Sequence, residues 1–61
     1  MKNKELLELT KETLREQLQL LSEASQRAAA NNDVNSLILC TSEIRAITDL
    51  LISLQSVLAD C

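Results

Sequence analysis

The chain has 61 residues with a net charge of −3 and contains no Gly, Pro, His, Phe, Tyr or Trp. Without His, and with only two Cys, a structural zinc site lacks most of its usual ligands and no imidazole is present for acid–base work. Without Gly, phosphate-cradling loops and dinucleotide fingerprints are absent.

A chain this short buries only about 60% of the surface its unfolded form exposes, so association is expected to complete its core. Residues 1–21 carry charges throughout and hold no continuous apolar stretch of the kind found in a signal peptide. The longest wholly apolar run is Leu37-Ile38-Leu39-Cys40, too short to span a membrane. A reducing, cytoplasmic setting is expected.

The first element predicted is a helix over about residues 3–30, with Asn3 as its cap. Leu7, Leu14, Leu21 and Ala28 recur every seven residues, and Thr10, Gln17 and Ala24 alternate with them at steps of three and four. Its charges, among them Lys4, Glu5, Glu8, Lys11, Glu12, Arg15, Glu16, Glu23 and Arg27, are intermixed and read as a solvated face. Gln17 and Thr10 fall within the apolar arc. They read as a register-fixing polar layer, or alternatively as polar ligand contacts between protomers.

Asn31-Asn32-Asp33 is the one cluster of turn and cap residues between two periodic stretches, so the chain is predicted to reverse there. A second helix follows over about 33–60. Its seam reads Leu37, Cys40, Ile44, Ile47, Leu51, Leu54, Leu58 and Cys61, apolar at every step. Continuing the first register would place the next seam position at residue 35, two short of Leu37. A continuous coiled coil absorbs insertions of three or four residues, not a shift of two. Cys40 and Cys61, about 31 Å apart along one helix, cannot form a disulfide within a chain.

Both apolar arcs are wider than one neighbouring helix can cover, about 180° on the first helix and more on the second. The second helix keeps a consistently polar arc only about 80° wide, which contains Ser42, Arg45, Ser53 and Ser56. Residues 1–61 therefore read as a single all-α unit, an antiparallel two-helix hairpin expected to dimerise into a four-helix bundle or a higher oligomer. The interface is placed on Leu37, Cys40, Ile44, Ile47, Leu50, Leu51, Ile52, Leu54, Val57 and Leu58.

All of the net negative charge lies in residues 33–61, where Asp33, Glu43, Asp49 and Asp60 face a single base, Arg45. Nucleic-acid binding is not expected, because phosphate neutralisation needs concentrated Lys and Arg and single-strand binding adds aromatic stacking. An enzyme is not expected either: the Ser, Thr and Cys hydroxyls and thiols have no evident activating base. No cofactor and no metal are implied.

The functional expectation is a small oligomeric helical protein that binds itself and another protein, which it regulates or inhibits. Short acidic chains of this kind include phage-borne inhibitors of host systems. One alternative is a sponge that holds a small anionic ligand such as a nucleotide, with Thr10, Gln17 and Arg45 as contacts. Another is a purely structural oligomerisation module.

Overall fold

A computed structural model describes residues 3–60, and all of its regular structure is helical. Helix α1 (Asn3–Ala30) and helix α2 (Val34–Ala59) pack against each other as a hairpin. Cys61, the last position of the second predicted seam, lies outside the described residues.

The reversal is made by backbone chemistry at residues 27 to 36. Asn32 has φ 55°, the left-handed region that costs most residues a Cβ clash and that Asn tolerates where Gly is lacking. Its N–H donates to the carbonyl of Ala29 at 3.2 Å, and the N–H of Asp33 reaches back to the carbonyl of Ala28 at 2.8 Å. This pair of bonds is a Schellman motif, and it satisfies carbonyls that a helix end otherwise leaves open.

Asp33 also starts the next helix. Its carboxylate accepts from the Ser36 N–H at 3.2 Å, and its own carbonyl accepts from the Leu37 N–H at 3.0 Å. The Ser36 side chain, and then the Ser36 backbone, hold the Asp33 carboxyl below its ordinary value. One residue thus closes α1 and caps α2.

The seam follows a three-four rhythm on both helices. On α2 it runs through Leu37, Cys40, Ile44, Ile47, Leu51, Leu54 and Leu58, with Ile47 buried and the others half-covered. On α1 it runs through Leu7, Lys11, Leu14, Leu18, Leu21, Ser25 and Ala28, with Ala28 buried. The positions between the heptad leucines are therefore Lys11, Leu18 and Ser25 rather than Thr10 and Gln17, which are both exposed.

The reason lies in what each choice would bury. Turning Gln17 inward would desolvate an amide with no partner, whereas turning Leu18 inward buries a hydrocarbon. Lys11 is half-covered at its seam position, which a lysine tolerates because its methylenes can pack while its ammonium reaches water. Near the turn, Ala24, Ser25 and Ala28 are small, which lets the helix axes approach where the loop between them is shortest.

Two helices side by side cannot enclose much. Only Ala28, 6% exposed, and Ile47, 8% exposed, are buried among the described residues. The hairpin measures 44 × 16 × 12 Å, and its radius of gyration is 14.1 Å. A compact chain of this length would have a radius of gyration of about 10.5 Å.

Candidate functional site

With the seam located, each helix has a flank on either side of it, about 90° away. Because the helices are antiparallel, rotating counterclockwise on each, viewed from its own N-terminus, leads to the same side of the hairpin. On that side α1 presents Leu6 and Leu20, and α2 presents Leu39, Leu50 and Val57, whereas Leu9 points away from the seam in line with Glu16 and Glu23. These five are between 48% and 66% exposed. We call this side the leucine face.

The threonine hydroxyls on this side are already satisfied. The Thr10 hydroxyl donates to the carbonyl of Leu6 at 2.9 Å, and that of Thr13 to the carbonyl of Leu9 at 3.1 Å. On the opposite side Thr41 and Thr48 of α2 do the same, toward Leu37 at 2.9 Å and Ile44 at 2.7 Å. All four threonines therefore need no external partner for the donated proton.

The opposite side is built differently. Its large apolar side chains, Val34, Ile38 and Ile52, all come from α2 and are about 60% exposed. They alternate with Thr41, Arg45 and Thr48, while α1 contributes Lys4, Glu8, Arg15, Ser22 and Gln26. A shallow depression of about 490 Å³ lies here, lined by Leu37, Ile38, Thr41, Ser42 and Arg45. All five belong to α2, so no side chain of α1 encloses it. A smaller one of about 350 Å³ sits on α1 over Arg15, Leu18, Gln19 and Ser22.

The ten interface positions read from the sequence fall in three places. Leu37, Cys40, Ile44, Ile47, Leu51, Leu54 and Leu58 face α1 within the hairpin; Leu50 and Val57 lie on the leucine face; Ile52 lies on the opposite one. Thr10 and Gln17 sit exposed beside the seam on the leucine side, and Arg45 lies on the opposite side of the hairpin. The three polar positions are not brought together.

Sequence reading did not assign Leu6 and Leu20 to an interface. The available signal was that their flank and that of Leu39, Leu50 and Val57 coincide once the helices run antiparallel. Among the described residues no three His, Cys, Asp or Glu side chains come together to hold a metal ion, and no helix is long and apolar enough to cross a membrane. Compared with protein-family models, curated proteins and solved structures, the chain matches none.

Proposed function

We propose that this chain is a non-enzymatic helical protein that associates with its own copies into a four-helix bundle and binds and regulates, or inhibits, a partner protein. The observation supporting this reading is that nine large apolar side chains remain roughly half exposed or more on so small a hairpin. Apolar surface at that density belongs to interfaces. Amphipathic helices are also the usual means by which one protein occupies the groove of another.

The test is a photo-cross-linking amino acid placed at Ile38 or Ile52 in cells, with mass spectrometry of the adducts. A second protein captured in stoichiometric amount, whose activity changes when the purified chain is added, supports the reading. Adducts formed solely between copies would leave a purely structural oligomerisation module.

A second reading, an anionic-ligand sponge, is favoured by Arg45 and Ser42 lining one depression beside an apolar wall. Thermal melts with inorganic phosphate and with ATP test it. A ligand at 100 times its Kd adds about 2.7 kcal/mol, an increment that Arg45→Ala should abolish. Melting curves unmoved by either ligand sink this reading.

A further inference from the structure

We propose that the leucine face, and not the opposite one, is where a second copy of this chain docks. The inference rests on the self-association proposed above and assigns the surface that carries it.

The first argument is area. The hairpin exposes 4775 Å². A compact folded chain of its mass, 6.8 kDa, would expose about 3,950 Å². The excess, roughly 800 Å², is what each partner contributes to an interface of ordinary size. The second argument is where that excess lies. Five of the nine exposed large apolar side chains, Leu6, Leu20, Leu39, Leu50 and Val57, share this face and come from both helices. The opposite face has three, all from α2 and interrupted by Arg45.

The third argument concerns what burial would cost. Polar groups resist desolvation unless they are hydrogen-bonded; the hydroxyls of Thr10 and Thr13 on this face already donate within α1, and Gln17 is the one amide here that needs a partner from the second copy. The fourth is complementarity with itself. Ala24 and Ala46 are the small residues on this side, where leucines of a second copy would meet the least bulk. Of the charged residues on this side, Arg27 and Glu43 have opposite signs and can pair between copies, which leaves Asp60 at the end of α2. Two hairpins stacked in this way form four helices around one apolar centre.

Sedimentation velocity and native mass spectrometry at micromolar concentration test the assignment. The wild-type chain should be a dimer. Leu20→Glu/Leu50→Glu should weaken it by more than about 100-fold, because each copy would bury two unpaired carboxylates. Ile38→Glu/Ile52→Glu, on the opposite face, should leave it unchanged. If the acidic variant also loses its helical circular dichroism, mixing it with Leu20→Lys/Leu50→Lys keeps the question answerable: recovery of helix and of a mixed dimer supports the proposal. Failure of that mixture to associate overturns it. A dimer that survives Leu20→Glu/Leu50→Glu but is lost with Ile38→Glu/Ile52→Glu overturns the face while sparing self-association. A wild-type chain that is a folded monomer overturns both.

Discussion

The two helices meet along one seam but bring different material to it. Every seam position described on α2 is apolar, whereas α1 brings Lys11 and Ser25 into the same line. Their termini differ as well. α1 has Glu5 in its first turn and Arg27 in its last, each of the sign that its helix dipole favours. α2 has Asp33 at its start, the favoured sign, but its C-cap is Asp60 and its last turn has no base. The contrast teaches a division of labour: α2 supplies the hydrocarbon that holds the hairpin, and α1 is the better-behaved helix that fits itself to that line.

The contrast predicts its own largest effect at Ile47, the one large side chain that is buried. Ile47→Ala should cost about 3 kcal/mol, read as a drop in Tm of more than 10 °C, since the flanking helix cannot collapse into the space. On α1 the expected losses are smaller and depend on register. Leu18→Ala should cost about 2 kcal/mol, and its neighbour Gln17→Ala less than about 0.5 kcal/mol. If Gln17→Ala proves the more damaging of the two, the α1 register described here is wrong and α1 packs through its Thr10–Gln17 row.

That comparison also shows where sequence reasoning succeeds. The reversal was legible because a chain without Gly has few ways to end a helix, and Asn31-Asn32-Asp33 supplies both the left-handed residue and the next cap. The α2 seam was legible because its three-four alternation is apolar at every step, which leaves a single choice of phase. On α1 the row Leu7, Leu14, Leu21 and Ala28 is equally compatible with intervening residues three or four further on. The choice between Gln17 and Leu18 is made by the partner helix, and so is invisible to a reading of one helix at a time. The candidate site shares this limit. The excess width of both apolar arcs could be read from spacing, but a shared face appears only once two flanks stand side by side.

The turn offers a finer test of whether the hairpin is held by α2's side chains or by the chain reversal. Asn32→Ala should cost about 1 kcal/mol, because a Cβ without the Asn amide occupies the left-handed region less readily. Asn32→Gly should match or exceed the wild-type Tm, since Gly enters that region without penalty. Equal losses from both substitutions would mean that the Asn side chain, and not its backbone conformation, secures the turn.

The smallest expected effect is the pH response of the residue that joins the two helices. Hydrogen bonds from Ser36 lower the Asp33 carboxyl in the folded chain, so its ionised form is favoured by folding. For a group depressed in this direction, the stabilisation is fully present above the unfolded value, about 3.9 for Asp, and is lost as pH falls through the lower folded value. Asp33→Asn keeps an acceptor oxygen for the Ser36 N–H but does not titrate. The Tm difference between wild type and Asp33→Asn should therefore be constant near neutral pH and shrink below about pH 4. The other carboxylates titrate alike in both chains and cancel from the difference. A gap that stays constant down to pH 2 would show that Asp33 acts through its geometry alone, and that its charge adds nothing to the start of α2.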